Sequence, residues 1–301
     1  MPELPEVETI ARGLAQKLTG DVIESVWLGN KPEPLKSTPG EIVSVLEQAR
    51  IAGVRRVGKH IVVDLRRRSP VAGDNNKQVL RFTTPARQNR ARRGPRSAQD
   101  DNAKAQWIVH LGMTGRLLIA QPDIAVPKHT HAILRLRSGR ELRFVDPRRF
   151  GRLTVVCRGF QAPGGEPLDI DFESFASLFR KRKTPIKSAL LNQSLLSGIG
   201  NIYADESLFR AGVRPRRRAA SLTRDRLQRV YDAVREVLRD AIAAGGSSVS
   251  DYVDANGDAG FFQFQHRVYG REGEPCLICG TPIKRIVIAG RSAHYCPKCQ
   301  Q

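Results

Sequence analysis

Four of the five cysteines stand in two pairs near the end of the sequence, with the spacing of a metal site. Each pair has the form Cys-x2-Cys, and sixteen residues separate Cys276 and Cys279 from Cys296 and Cys299. Paired thiolates at this spacing are typical of zinc sites, and four sulfur ligands leave no open position for catalysis. We therefore expect one structural Zn²⁺, with disulfides as the alternative. The fifth cysteine, Cys157, lies in an apolar run and is expected to be a buried, unreactive thiol.

The second residue of the chain is a proline, which offers an unusual nucleophile. Removal of Met1 would leave Pro2 as a secondary amine, and an α-amino group titrates at about 7.7–8.0, so a useful neutral fraction exists at physiological pH. Such an amine attacks the aldehydic carbon of a sugar and forms an iminium ion, an electron sink that favours elimination. Glu3 and Glu6 are placed to donate protons or to position the sugar. The same segment also fits an ordinary helix start, with proline early and acidic residues in the first turn.

The charge of the chain indicates a polyanionic partner. Fifty lysines and arginines against thirty aspartates and glutamates give a formal net charge of +20 in 301 residues, and the sequence pI is about 10.5. Nucleic acid is the leading candidate, against a basic composition without a role. The sequence has no apolar run of about 20 residues, and its acidic start differs from a secretory signal. We therefore expect a cytoplasmic, nucleoid-associated protein without a membrane segment.

Hydrophobic patterning divides the chain into a β-rich half and a helical half. Residues 3–19 have the apolar period of an amphipathic helix, and the segments between about 22 and 155 alternate like strands of an antiparallel sandwich or barrel. A Pro- and Gly-rich stretch at 158–171 is the expected linker. The elements expected after it are helices over 172–181, 185–196, 201–211 and 223–244 and a β-hairpin folded over Gly290.

Residues 66–104 interrupt this pattern between two expected strands. They contain eleven lysines and arginines against three aspartates, with few apolar residues and no clear period. Such a composition is typical of a loosely held basic loop. It is either a solvated insertion without a role or a non-specific clamp on DNA phosphates.

Several motifs resemble one known family, in the order in which they occur. They are MPELPEVET (1–9), GKH (58–60), HLGMTG (110–115), DPRRFG (146–151), TPIK (184–187), GIGNIYADE (198–206), VYGREGEPC (268–276) and the terminal four-cysteine hairpin. This set is similar to bacterial formamidopyrimidine-DNA glycosylase, the 8-oxoguanine repair enzyme with an attached lyase activity, and only roughly 66–104 falls outside it. The resemblance implies an α+β fold with an N-terminal β-sandwich and flanking helices, a helix–two-turn–helix domain and a zinc-finger hairpin. We expect these units over residues 1–157, 172–262 and 266–301.

The resemblance also implies a catalytic set of four residues. Pro2 corresponds to the family's N-terminal nucleophile, and Glu3 to the acid that assists opening of the sugar or loss of the base. Lys59 corresponds to a lysine assigned to proton transfer and phosphate contact during β-elimination. Arg291 corresponds to the hairpin arginine that grips the lesion phosphates and is assigned to δ-elimination. The zinc would then position an arginine without taking part in the chemistry.

A second set of residues corresponds to the family's contacts with DNA. Extrusion of a nucleotide leaves a gap in the base stack, and a gap-filling trio of Met113, Arg148 and Phe150 matches the side chains that occupy it. Core packing is the alternative for the methionine and the phenylalanine. Asn201 has the position of a helix N-cap, whose neighbours present free N–H groups to a phosphate. The remaining expected contacts with DNA are made by Lys187 and, by weaker correspondence, by Lys183, His129 and Glu6.

The sequence therefore predicts a monomeric, bifunctional enzyme of base excision repair that acts on damaged double-stranded DNA. Such an enzyme flips an oxidised purine, for example 8-oxoguanine or a formamidopyrimidine, out of the duplex, displaces it through Pro2 and cleaves the strand by β- and δ-elimination. It needs no cofactor besides the structural Zn²⁺. The alternatives are endonuclease VIII, a sister enzyme that prefers oxidised pyrimidines, and a DNA-binding protein that has lost the chemistry. The gap-filling trio argues against the first alternative, and the intact catalytic set argues against the second.

Overall fold

The computed structural model describes residues 1–66, 104–157, 159–248, 252–255 and 257–301 of the chain. The interior of the expected basic insertion at 66–104 therefore lies outside the described residues. Among the residues that are described, no helix combines the length and the apolar character needed to cross a bilayer. These residues form a β-rich half and a helical half that carries a terminal β-hairpin.

The N-terminal half is a sandwich of two four-stranded antiparallel sheets, which confirms the expected β-sandwich. After helix α1 (Leu4–Leu18), its strands are β1 (Ile23–Leu28), β2 (Arg50–Val57), β3 (His60–Arg66), β4 (Lys104–His110), β5 (Arg116–Ala120), β6 (Thr130–Leu136), β7 (Glu141–Val145) and β8 (Arg152–Val156). One sheet has the order β1-β6-β7-β5 and the other the order β2-β3-β4-β8. Trp107 and Phe144 are fully buried in the core that these strands share with α1.

A short helix, α2 (Pro39–Leu46), connects β1 to β2 and is missing from the expectation for this region. It begins at a capping box, because the Thr38 hydroxyl accepts the Glu41 N–H at 3.3 Å and the Glu41 carboxylate accepts the Thr38 N–H at 2.8 Å. Ile42, Val43 and Val45 are β-branched, and a short apolar run of such residues fits a strand as well as a helix. The capping box and Pro39 at the first helical position are the start signals that the sequence carries for this helix.

The C-terminal half consists of four α-helices and the hairpin. They are α3 (Phe172–Phe179), α4 (Ile186–Leu190), α5 (Asn201–Arg210), α6 (Arg224–Ala243), β9 (Lys284–Ile288) and β10 (Arg291–Tyr295). The strands β9 and β10 pair antiparallel around Ala289 and Gly290, as the sequence predicts. The helices enclose a second hydrophobic core that contains Phe175, Tyr203 and Leu238.

The expectation of one helix over 185–196 is wrong, because α4 ends at Leu190. Polar side chains bind the backbone of the residues that follow and replace the helical hydrogen bonds. Asn192 accepts the Ser194 N–H at 2.9 Å, and Gln193 accepts the Gly198 N–H at 2.9 Å while donating to the Ile199 carbonyl at 2.8 Å. This folded loop leads directly into the start of α5.

Helix α1 joins the two halves of the molecule. Leu4 packs into the core of the helical half, whereas Val7, Ile10 and Leu14 pack into the core of the sandwich. The start of α1, with the proline and the acidic residues of the N-terminal motif, is therefore located where the two halves meet.

The expectation for Cys157 is also wrong, because this thiol is exposed. It follows directly after β8, an edge strand of its sheet, where the chain leaves the sandwich. The apolar run that precedes it does pack inward, since Leu153 is fully buried and Val155 contacts the core.

Candidate active site and DNA-contacting surface

A cleft of about 500 Å³ opens between the sandwich, the start of α5 and the hairpin. Glu3, Lys59 and Arg291, which are far apart in the sequence, all line it. Met1 also lines the cleft, and Pro2 is buried directly behind it. Because Met1 is bonded to the Pro2 nitrogen, its removal would open that nitrogen towards the cleft. The structure thus brings together the four residues of the expected catalytic set.

The chain on both sides of Pro2 is held in place by hydrogen bonds. Glu3 is the N-cap of α1, and the Glu6 carboxylate accepts its N–H at 2.7 Å in a capping box. The Leu4 N–H donates to the Gly198 carbonyl at 3.0 Å, which attaches the same segment to the turn before α5. The first residues are therefore both an ordinary helix start and a fixed part of the cleft.

Two glycines allow the Glu3 carboxyl group to lie against the N-terminus of α5. Its Oε1 accepts the Ile202 N–H at 3.3 Å. A Cβ atom on Gly200 would lie 2.1 Å from the Glu3 Cδ atom, so any larger residue there would displace the carboxyl group. Gly198 has a φ of +98° and would place a Cβ 2.8 Å from Leu4. The two glycines of the GIGN turn thus permit the close approach of Leu4 and Glu3 to the start of α5.

The environment of Glu3 favours its protonated form more than water does. Burial raises the pKa of its carboxyl group to about 7, while the charge of Lys59 and two backbone N–H groups of α5 oppose this rise. The second carboxyl oxygen, Oε2, is buried and has no hydrogen-bond partner among the described residues. Near neutral pH the group therefore exists in both protonation states, as a proton donor and acceptor requires.

Lys59 reaches the cleft from a tight turn between β2 and β3. Val57 pairs with His60, so Gly58 and Lys59 alone form the turn, and Gly58 has a φ of +59°. Burial lowers the pKa of the Lys59 ammonium group, and the carboxylates of Glu3 and Glu6 oppose this shift. The pKa of Glu3 is thus raised and the pKa of Lys59 is lowered, so the two values approach each other beside the N-terminal segment.

The four paired cysteines form a cluster that fits one zinc ion. Their sulfur atoms all lie within 4.8 Å of one another, with separations of 3.9 Å for Cys276–Cys299, 3.5 Å for Cys279–Cys296 and 3.4 Å for Cys279–Cys299. Zn–S bonds of about 2.3 Å in a tetrahedral site place sulfur atoms about 3.8 Å apart. All five cysteines are free thiols, so the disulfide alternative is wrong. The cluster would hold a closed, structural Zn²⁺.

The hairpin that this cluster anchors presents Arg291 to the cleft. Ala289 and Gly290 form its turn with φ values of 48° and 75°, and Arg291 is the first residue of β10. Behind it, the Asp205 carboxylate accepts the His294 N–H at 2.9 Å. Lys187 lies 2.6 Å from the other Asp205 oxygen and also donates to the Ser292 carbonyl. We call this arrangement of Lys187, Asp205, Ser292 and His294 the hairpin clamp.

The structure does not support the expected direct contact between Lys187 and a DNA phosphate. Both Lys187 and Asp205 have fully buried side chains, and the ammonium group is already bonded within the hairpin clamp. Asn201 also differs from the expectation, because Gly200 is the N-cap and Asn201 is the first residue of α5. Its side-chain amide lines the cleft and donates to the Ser292 hydroxyl at 3.1 Å.

The gap-filling trio lies on two loops beside the cleft. The side chains of Met113 and Phe150 are 39% and 54% exposed, so the core-packing alternative is wrong for both. The Arg148 guanidinium stacks over the Phe150 ring at 4.9 Å from its centroid. Buried Asp146 joins the two loops, because its carboxylate accepts the Thr114 hydroxyl at 2.7 Å and the Gly151 N–H at 2.7 Å.

The structure places the three residues that correspond more weakly to DNA contacts of the family in different environments. Lys183 is exposed after α3, and His129 is exposed beside the loop of Arg148. Glu6 is buried and does not line the cleft. Its carboxylate accepts the Ser247 N–H at 2.8 Å and the Tyr203 hydroxyl, so the expected contact with the sugar is not supported and Glu6 instead fastens α1 to the helical half.

Several residues that the structure places at the site have no role predicted from the sequence. Tyr269 lines the cleft and contacts the side chain of Asn201. Asp146 organises the gap-filling loops, and Asp205 and His294 complete the hairpin clamp. Tyr269, Asp146 and Asp205 all stand inside the quoted motifs, but no spacing rule distinguishes a buried organising residue from a ligand.

Three family models match the chain. The model for the formamidopyrimidine-DNA glycosylase N-terminal domain matches residues 1–153, and that for the formamidopyrimidine-DNA glycosylase H2TH domain matches residues 163–253. A zinc finger found in FPG and IleRS matches residues 273–301. Together the three models extend over both halves of the structure and the hairpin.

Whole-chain comparisons agree with these matches. A formamidopyrimidine-DNA glycosylase from Solibacter usitatus is 41% identical over 304 residues, which cover 100% of both chains. The crystal structure of the MutM (FPG) protein from Thermus thermophilus has a TM-score of 0.79 and 38% identity, and covers 99% of this chain and 98% of that chain. The structure of a Lactococcus lactis FPG mutant with DNA that contains Fapy-dG has a TM-score of 0.80 and 30% identity, and covers 100% of both chains.

Proposed function

The chain belongs to the formamidopyrimidine-DNA glycosylase family, and we propose that it excises oxidised purines from duplex DNA and cleaves the strand at the abasic site it creates. The observation that carries this proposal is the single cleft that unites Glu3, Lys59 and Arg291 in front of Pro2. We assign the nucleophile and its proton carriers to residues 1–157, the main DNA-binding helices to 172–262 and the positioning of Arg291 to 266–301. Its site of action is the nucleoid DNA of the cytoplasm.

Base removal begins with the free Pro2 nitrogen. Its lone pair forms a bond to C1′ of the flipped nucleotide, and the C1′–N bond to the base breaks with its electron pair leaving on the base. The Pro2 nitrogen gives its proton to the departing base and so regains a lone pair. This lone pair forms the second bond to C1′ while the bond between C1′ and the sugar oxygen breaks, and Glu3 supplies a proton to that oxygen, which leaves an iminium ion between Pro2 and C1′. With a pKa of about 7, Glu3 holds this proton in a useful fraction of molecules at neutral pH.

Strand cleavage follows from the iminium ion. Loss of a proton from C2′ sends electrons towards the positive nitrogen, and the 3′ phosphate leaves in β-elimination. Lys59 is the proton carrier for this step, since burial lowers the pKa of its ammonium group. Arg291 balances the charge of the phosphate that leaves in the later δ-elimination. The zinc ion, held by the four cysteines, contributes only the fold of the hairpin that carries Arg291.

The gap-filling trio supports DNA as the substrate. Once a nucleotide is flipped into the cleft, Phe150 separates the neighbouring bases, Met113 fills the vacated space and Arg148 donates to the widowed base. The net charge of +20 provides the general attraction to phosphates.

A panel of duplexes tests this function. We expect the protein to release 8-oxoguanine opposite cytosine and a formamidopyrimidine, and to leave the β,δ-elimination products on a denaturing gel. Glu3→Gln should reduce base release by at least about 100-fold, as loss of a general acid does, while a duplex with a preformed abasic site is still cleaved. Release of oxidised pyrimidines in preference to oxidised purines, or binding without any cleavage, would contradict the proposal.

A further inference from the structure

A second concavity, separate from the active-site cleft, lies on the far side of the gap-filling loops. It has a volume of about 710 Å³ and is lined by Trp27, Lys31, His129, Pro147 and Arg149, among others. We call it the Trp27 groove. None of the steps derived above uses it.

Trp27 is a large apolar side chain on the solvent-exposed face of β1. Its neighbours Val26 and Leu28 pack onto the core of the sandwich, whereas the Trp27 side chain is 51% exposed on the outer face. A large aromatic side chain beside cationic groups is the usual composition of a surface that stacks on nucleotides. Lys31 and Arg149 supply the two permanent cations of the groove.

The groove is continuous with the gap-filling loops through Arg149. Arg148 stacks on Phe150, whereas the next residue, Arg149, lines the groove and pairs with Glu33 at 2.8 Å. This ion pair is exposed on both sides, so a phosphate can compete for the guanidinium. The same loop therefore carries one arginine of the gap-filling trio and one arginine of the groove.

Two residues of the groove are held in strained conformations. His129 and Arg149 have φ values of 68° and 58°, in the left-handed region that non-glycine residues seldom adopt. Both are bonded to the backbone of Asp146, whose N–H donates to the His129 carbonyl and whose carbonyl accepts the Arg149 N–H. Such strain often marks a functional surface, and here Asp146 fixes both the groove and the gap-filling loops.

We propose that the Trp27 groove binds one nucleotide of the complementary strand, next to the widowed base. This inference rests on the proposed function, because it takes the cleft as the site of the flipped nucleotide. A duplex that runs from the cleft across the gap-filling trio has its complementary strand on the far side of the trio, above the groove. Lys31 and Arg149 hold the phosphate of this nucleotide, and Trp27 packs against its apolar face.

The tryptophan content of the chain provides a direct probe. Trp27 and Trp107 are the only tryptophans, and Trp107 is 0% exposed. Acrylamide quenching of the fluorescence therefore reports on Trp27. We expect quenching to fall several-fold when the protein binds a duplex with a stable abasic-site analogue opposite cytosine. In Trp27→Phe the quenchable emission should be absent with and without DNA.

Neutral methylphosphonate linkages identify the strand. Protection of Trp27 should be lost when the linkages flank the widowed base and retained when they lie at the same distance on the lesion strand. Lys31→Ala and Trp27→Ala should each raise the Kd for the unmodified duplex about tenfold, and Lys31→Ala should have no effect on the duplex with a neutral complementary patch. Arg137→Ala, which removes an equal charge from the exposed end of the β1–β6 pair opposite the groove, is the matched control and should leave the Kd within about twofold.

Strand cleavage by the same variants separates the two proposals. Cleavage at saturating DNA should persist in Trp27→Ala, which also shows that the variant is folded. Unchanged quenching of Trp27 in the complex, or protection lost only with the lesion-strand patch, would overturn the assignment while leaving the proposed function intact. Protection by the complementary strand without any cleavage would leave the groove in place and overturn the proposed function.

Discussion

Replacing Lys187 with methionine would remove the positive end of the buried ion pair that holds the zinc hairpin. Lys187 lies 2.6 Å from Asp205, and both side chains are fully buried. Methionine keeps the unbranched shape but leaves the Asp205 carboxylate unpaired, and removal of one partner of such a pair costs about 3–5 kcal/mol. At roughly 2–4 °C per kcal/mol, the Tm should fall by about 10 °C. Lys128→Met, on an exposed loop, should change the Tm by no more than about 2 °C.

The same substitution should also change the products. Because the hairpin clamp binds the backbone of Ser292 and His294, its loss displaces Arg291 while Pro2, Glu3 and Lys59 stay in place. We expect the ratio of δ- to β-elimination product to fall about tenfold, because a displacement of the reacting group by up to about 1 Å has effects of this order. A combined Lys187→Met, Asp205→Asn variant should recover much of the Tm, because the unpaired charge is gone, and should keep the altered product ratio.

Quantified gels on an abasic-site duplex, below the Tm of every variant, measure this ratio. A folded Lys187→Met variant that retains zinc and gives the wild-type ratio would refute the role assigned to the hairpin clamp. Recovery of the ratio together with the Tm in the combined variant would show that the clamp acts on stability alone.

Three further predictions concern the cleft and the hairpin. Gly200→Ala should reduce base release about 100-fold, because its Cβ would lie 2.1 Å from the Glu3 Cδ atom. Gly53→Ala, whose Cβ would have no atom of the described chain within 4 Å, should leave release unchanged. Since folding raises the pKa of Glu3 from 4.5 to about 7, Glu3 contributes stability that is complete below pH 4.5 and is lost as the pH rises towards 7. In urea unfolding, the free energy of unfolding of Glu3→Gln should therefore rise relative to that of the wild type by up to about 3 kcal/mol between pH 5 and pH 8. Parallel curves of this free energy against pH would contradict the effect of burial on Glu3. Removal of zinc by a chelator should abolish δ-elimination and weaken DNA binding while circular dichroism still shows the sandwich; retained δ-elimination in zinc-free protein would contradict a hairpin that depends on the metal.

The sequence predicts those elements of this fold whose hydrophobic pattern is long enough to show a period. Helices α1 and α6 have such patterns, and the terminal hairpin is marked by its cysteines and by Gly290. Helix α2 and the end of α4 escape prediction because capping and amide side chains, not an apolar period, define them. Short elements of this kind are set by a few local hydrogen bonds that a pattern search does not weigh.

The catalytic set is predicted through motif resemblance, whereas the burial of its surroundings is not. Lys187 and Glu6 are charged residues inside recognised motifs, and each was expected to face DNA. In the folded chain both are buried against partners distant in sequence, Asp205 and Tyr203 respectively. Charge and motif membership alone do not reveal such pairs, because the partner is supplied by tertiary packing.

Borohydride trapping tests the central claim most directly. The reductant converts an iminium ion into a stable amine, so wild-type protein that lacks Met1 should become covalently joined to a duplex with 8-oxoguanine opposite cytosine. Digestion and mass analysis should place the adduct on Pro2, and a protein that retains Met1 should give none. A covalent adduct on any other residue, or cleavage of the duplex without a trappable adduct, would contradict the account.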